Sequence, residues 1–471
     1  MPMRPRIAPG ASARAVPTSS EQTSALLISA LAAFLTPFLG SSLNVALPSI
    51  GREFAMDAIL LSWVPTAYLL SAAILVVPFG RIADIVGRKL VFSWGISVLS
   101  AGCLLAAVAA HGWVLIAARA LQGGGGAMIF GTGMAILTSV YPREQRGRVL
   151  GINVAAVYVG LSVGPFVGGL LTEHLGWRSV FWTSGALGGA MLLLVLSKLK
   201  GEWAEARGAR LDVFGGMLYG TALTGIIYGL SRLPDATGVG LLLAGLLVLV
   251  AFVRWELRTA SSLLDMALFV SNRVFAFSNL AALINYSATF AVGFLLSLYL
   301  QYIRAFSPQE AGLILMAQPV VMAVASPFAG VLSDRIEPRI VASTGMGLIV
   351  VGLAVLVFLT AETPIPVLVA TLVLLGMGFA LFSSPNTNAV MSSIEPHQYG
   401  VAAGTVATMR MTGQMLSIGT AMLVFALVMG PVPITPAVYD SFLRSVSIAF
   451  GIFALLCVGG VFASLARGRL R

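Results

Sequence analysis

Charge is scarce in this sequence. Of 471 residues only 10% are Asp, Glu, Lys or Arg, while 58% are hydrophobic. Soluble domains carry about 25% charge, so these side chains cannot clothe a water-facing surface; soluble-enzyme, disordered and collagen-like classes are excluded. Cysteine is nearly missing as well. Cys103 and Cys457 both lie in apolar runs, which leaves no disulfide or metal framework. Lysine occurs three times and never after a glycine, so the GxxxxGK[ST] phosphate loop of an ATP-driven pump is lacking. The three histidines, His111, His174 and His397, are scattered. They form no cluster of the kind a polytopic membrane enzyme would place near one membrane face.

What is plentiful is uncharged length. About 20 apolar residues carry a helix across a bilayer, and fourteen runs of that order occur: 25–47, 58–79, 90–110, 113–138, 149–171, 179–197, 213–231, 237–253, 274–303, 311–332, 340–360, 366–390, 401–429 and 445–466. The expected fold is an all-α polytopic membrane protein. The first run is too long for a signal-peptide core of about 7–15 residues. Ahead of it, residues 1–24 read as a disordered tail rich in Pro, Arg and Ser.

The net charge of +10 resolves into topology. With the N-terminus inside, 21 of the 28 basic residues fall in tails and loops on one side. Five fall on the other (Arg52, Arg178, Arg232, Arg304 and Arg444), and Arg119 and Arg410 lie within spans. The positive-inside rule then puts both termini in the cytoplasm, and no nucleic-acid partner is needed to explain the basic excess. The expected partners are the lipid bilayer and a small-molecule substrate, with the chain acting as a monomer. No cofactor is expected beyond a proton gradient.

An internal repeat divides the chain. Gly80-Arg-Ile-Ala-Asp84-Ile-Val-Gly87-Arg88-Lys89 follows the second run, and Gly330-Val-Leu-Ser-Asp334-Arg335 follows the tenth at an offset of 250 residues. Runs 1–6 and 9–14 are then related halves, with 7 and 8 inserted between them. The expected division is a bundle over 25–200, a linker with the inserted pair over 201–270, a second bundle over 271–466 and a tail over 467–471. Residues 80–89 read as a tight loop, with Gly80 and Gly87 permitting a sharp turn and Asp84 available to cap a helix start.

Three further clusters stand out. In the fourth run Arg119, Gln122 and Gly123 share one face by their i, i+3, i+4 spacing. An arginine at that depth costs about 2.5 kcal/mol or more to insert, so it needs a partner in the protein interior. Gly160, Gly164 and Gly168 form a stripe that permits close helix approach, and Pro165 frees the carbonyl of Leu161. Polar side chains at depth are candidate cavity liners: Asn44, Tyr68, Gln122, Asn153, Tyr158, Asn285, Tyr286, Gln318, Asn386, Asn388 and Gln414. Each of these patterns also has a plain structural reading as a capped turn, a buried arginine satisfied by carbonyls, small-residue packing or an interhelical hydrogen bond.

The decapeptide 80–89 resembles the loop signature of the major facilitator superfamily, in which the acidic residue helps set the inward–outward equilibrium. Gly164-Pro165-Phe-Val-Gly168-Gly169 is similar to that superfamily's antiporter motif, which lies between the halves and is typical of exporters. Asn44-Val-Ala-Leu-Pro48, Trp63, Tyr68, Tyr141 to Arg148, Trp177 to Trp182, Asp265 and Pro308 to Gly312 add to a resemblance to the 14-helix drug:proton antiporter branch. It implies two six-helix bundles plus two extra central helices, and export of small amphipathic compounds by alternating access, in exchange for protons, across a prokaryotic cytoplasmic membrane. It also implies roles in conformational switching for Gly80, Asp84, Gly87, Arg88, Lys89, Gly330 and Asp334. One position departs from the pattern: the branch usually carries an Asp eight residues before the proline of NxALP, and here that residue is Gly40. The alternatives are a uniporter, or an exporter of an anionic or lipid-like metabolite that pairs with Arg119 or Arg410; a polytopic membrane enzyme or receptor is a third.

Overall fold

The computed structural model describes residues 19–204, 208, 211–259, 263–264, 266–395 and 399–468. Residues 1–18 of the expected tail, Asp265, His397, and Arg207, Arg210, Arg469 and Arg471 lie outside the described residues. Among those described, fourteen helices are long and apolar enough to cross a membrane, matching the fourteen runs.

The first half contains α1 (Ser19–Glu53), α2 (Ala58–Val86), α3 (Arg88–Ala107), α4 (Gly112–Val140), α5 (Arg143–Leu175) and α6 (Arg178–Lys198). The inserted pair is α7 (Val213–Arg232) and α8 (Ala236–Glu256). After a short α9 (Met266–Ser271) come α10 (Arg273–Thr289), α11 (Ala291–Leu298), α12 (Pro308–Leu315), α13 (Ala317–Arg335), α14 (Pro338–Val357), α15 (Ile365–Ser392), α16 (Tyr399–Val428) and α17 (Tyr439–Ala466). In membranes helices associate through small residues that let backbones approach. The run Gly123 to Gly126 does this in two directions. A side chain at Gly123 would begin 2.2 Å from the Tyr68 carbonyl of α2, and one at Gly125 2.5 Å from the Leu99 nitrogen of α3. One α4 therefore seats two neighbours. In the second half Gly345 and Gly378 join α14 to α15, and Gly229 and Gly245 join the inserted pair in the same way.

Three expectations are corrected. Residues 19–24 are helical and belong to α1, because nothing in Ser19 to Ala25 breaks the helix. Residues 80–86 are the last turns of α2 rather than a loop, and Gly330 to Asp334 are helical in α13. Only Gly87 leaves the helix, at φ +135°, where a residue without Cβ is required. The ninth span is present as expected over Arg273–Ile303, with local departures from α-helical bonding: the Ala291 amide goes to the Ser417 hydroxyl (2.9 Å), and Tyr299–Ile303 form a π-helical turn. The tenth is interrupted at Met316, where Pro319 has no N–H for the Leu315 carbonyl. Finally Arg467 is not in a solvated tail. It is 1% exposed, donating to Asn386 Oδ1 (3.0 Å) and Ser278 Oγ (3.3 Å), and burial pulls its guanidinium down to about 10.

Candidate functional site

Two arginines sit inside the helical bundle, and their surroundings differ. Arg119, in α4, is 2% exposed. Its Nη1 donates to Gln122 Oε1, its Nε to the Val64 carbonyl (3.3 Å), and its guanidinium lies 4.5 Å from the Tyr68 ring centroid. Gln122 in turn donates to the Gly102 carbonyl at 2.9 Å. Every part of this network is enclosed, so Gln122 is a packing residue and not a cavity liner. Arg410, in α16, is only half-buried. It stands eleven residues from the helix start, about 16 Å along the axis. Its guanidinium lies over the rings of Phe130 of the first half (5.5 Å to the centroid) and Tyr286 of the second (6.0 Å). Among the described residues no carboxylate pairs with it and no hydrogen bond holds it.

Tyr286 also packs edge-on against Phe379 at 5.4 Å, and the Tyr158 hydroxyl of α5 faces Ser326 and Ser383 of the second half. Tyr68, Phe130, Tyr158 and Tyr286 all lie about 15–27 Å along their helices, near mid-depth. Phe130 and Phe379 carry no sequence signal of their own, since a phenylalanine in an apolar run looks like any other. Of the remaining candidates Asn44, Gln318 and Gln414 are half-buried on α1, α13 and α16. Asn153 is buried, and Asn285 is fully enclosed with both amide atoms unpartnered. Asn386 bonds Ser278 and Arg467, and Asn388 bonds Ser333 (3.1 Å) and Asp334 (3.3 Å). Those last two tie helices together near the end that bears the basic loops, so neither lines a mid-depth cavity.

Hydrogen bonds that cross between the halves gather at the end opposite the basic loops. Pro48 cannot bond the Asn44 carbonyl within α1, and that carbonyl accepts the Ser297 hydroxyl at 2.6 Å. The neighbouring Val45 and Pro48 carbonyls accept Gln301 Nε2 (2.8 Å) and the Tyr302 hydroxyl (3.2 Å), both from the π-helical turn. Glu173 accepts the Gln309 amide at 3.0 Å, and the Val432 carbonyl accepts the Ala58 amide at 3.2 Å. The glycine stripe divides its labour here. Gly160, Gly164 and Gly168 lie against Phe34, Ser41 and Ser42 of α1 in the same half, whereas Gly169 meets the Pro308 carbonyl and Pro165 meets Gly312, both on α12 of the other half. That end of the molecule is closed.

At the basic end Asp84 pairs with Arg88 (2.8 Å) instead of capping a helix, and Arg88 donates to Ser139 Oγ (2.7 Å). The cap on α3 comes from Glu202, whose carboxylate accepts the Lys89 and Leu90 amides at 2.8 and 3.1 Å. A Cβ on Gly87 would overlap that carboxylate at 2.4 Å. Sequence reading missed Glu202 because more than a hundred residues separate it from its partners. Asp334, the repeat's counterpart of Asp84, is held instead by Asn388 among its contacts.

Two helical halves, sealed against each other at one end and meeting at mid-depth around rings and a cation, define a polytopic membrane transporter. The sequence profile of the Major Facilitator Superfamily matches residues 29–416 and, in an overlapping placement, 278–470. The chain belongs to that superfamily. It is 28% identical over 385 residues to the riboflavin transporter RibZ of Clostridioides difficile, covering 82% of this chain and 84% of that one. It is 29% identical over 379 residues to the multidrug resistance protein Stp of Mycobacterium tuberculosis, covering 79% and 70%. Its fold superposes with a TM-score of 0.72 on the inward-facing, unoccupied structure of a bacterial homologue of the human lysosomal transporter Spinster, at 15% identity over 96% and 98% of the two chains.

Proposed function

We propose that the protein exports small amphipathic compounds across a prokaryotic cytoplasmic membrane by alternating access, with both termini in the cytoplasm. The observation that carries this reading is the mid-depth cluster of Arg410, Phe130, Tyr158 and Tyr286, drawn from both halves beneath a closed opposite end. Aromatic faces supply apolar contact with little demand on ligand shape. A rocking motion that separates α1 from the π-helical turn and α5 from α12 would release a ligand on the far side.

Proton exchange is the driving force we propose, and it does not run through the first helix. A Cβ on Gly40 would have nothing within 4 Å, so the position at which the branch usually carries Asp is open space. This same vacancy favours the second reading, a uniporter or an exporter of an anionic or lipid-like metabolite. Substrate-dependent pH change inside proteoliposomes, across a panel of drug-like and metabolite-like compounds, separates the two. Acid–base movement that tracks each transported compound supports antiport; transport without proton flux supports the second reading. No transport of any compound would remove both.

A further inference from the structure

We infer that Arg410 anchors an anionic group on the substrate, so that the compounds carried are amphipathic anions with an aromatic or other flat apolar body. The inference rests on the transport reading and names its substrate class. A guanidinium at mid-depth requires compensation. Arg119 obtains it wholly from the protein: a side-chain amide, a backbone carbonyl and a ring, all enclosed. Among the described residues Arg410 is met only by the rings of Phe130 and Tyr286 and by no hydrogen-bond acceptor, and it remains partly exposed.

The chemistry of a planar fork of free donors is specific. It matches a carboxylate, sulfonate or phosphate, which accept two parallel N–H bonds. The two rings next to the guanidinium offer an apolar wall along which a flat ligand body would lie. The rings also come from opposite halves, so a ligand seated on Arg410 would touch both moving parts. A cationic ligand at the same place would meet like charge with no acidic residue among the described residues to offset it.

The test uses the full-length protein in nanodiscs and two xanthene dyes of one ring system, an anionic carboxylate and its uncharged or cationic ester. Binding is read by fluorescence anisotropy. Wild type should bind the carboxylate at least tenfold more tightly than the ester. Arg410→Gln should weaken carboxylate binding about tenfold or more and leave ester binding within about threefold. Arg410→Lys, which keeps the charge but loses the fork, should fall between them. Equal loss of both dyes in Arg410→Gln, or a wild type that prefers the ester or binds neither, overturns the inference. Thermal unfolding of each variant identifies misfolding, and Arg410→Lys then provides the folded comparison. Counterflow in proteoliposomes is measured alongside: flux of the ester that survives in Arg410→Gln keeps the transport reading standing even if the anion preference fails.

Discussion

Arg119 and Arg410 look alike on paper, each a lone cation in an apolar run. The difference lies in what the fold brings to their N–H groups. Arg119 is part of the structure, and replacing it with Met would leave the Gln122 side-chain oxygen buried without the donor that Arg119 supplies. Hydrogen bonds to charged groups are worth about 1.5–3 kcal/mol. Arg119→Met should therefore lower the melting temperature in detergent and reduce transport of every substrate alike, because fewer molecules are folded. Loss confined to anionic substrates, with the melting temperature unchanged, would contradict this assignment. Gly40 invites the opposite experiment. The open space beside it can take a carboxylate without a clash, so Gly40→Asp should fold and make transport pH-dependent around that group's titration. A pH profile identical to wild type would show that a carboxylate at this place plays no part in coupling.

At the scale of helices, the glycine motif splits into two functions that one substitution each can separate. A side chain at Gly164 would begin 1.9 Å from Ser41 Oγ, between two helices of the same half. Overpacking of this kind costs about 1–3 kcal/mol, so Gly164→Val should lower thermal stability. A side chain at Gly169 would instead begin 2.4 Å from the Pro308 carbonyl oxygen of the other half. Gly169→Val should spare the stability of each bundle and disfavour the closed opposite end. Its signature is faster labelling of a cysteine placed by Gly293→Cys, near Asn44, in a background with Cys103 and Cys457 replaced. Equal destabilisation by both substitutions, with no change in labelling, would contradict the division. Prolines act at the same scale: Pro48 offers the Asn44 carbonyl to Ser297, and Pro319 accompanies the break between α12 and α13.

For the molecule as a whole, the distribution of arginine predicts its orientation. Gly201 lies at the basic end and Thr435 at the opposite end, both exposed. In intact cells a membrane-impermeant maleimide should label Thr435→Cys at once and Gly201→Cys only after permeabilisation. The reverse pattern would invert the proposed topology and, with it, the direction of transport.

Much of the architecture was legible in the residues themselves. Fourteen apolar runs determine the fold class, because a segment in hydrocarbon must satisfy its own backbone and the length of each run is set by bilayer thickness, while the repeat at an offset of 250 residues and motifs such as Gly-Pro-x-x-Gly-Gly carry the family resemblance. The site was legible only in outline. Tyr158, Tyr286 and Arg410 were visible as polar or cationic residues at depth, but Gln122, Asn386 and Asn388 have the same appearance and are consumed by packing. Glu202, Ser297 and Gln301 show no signal because their partners lie over a hundred residues away. Chain order determines which side chains can enter the membrane. Only tertiary contact decides which of their donors and acceptors are already satisfied, and hence that Arg410 rather than Arg119 has hydrogen bonds left to give.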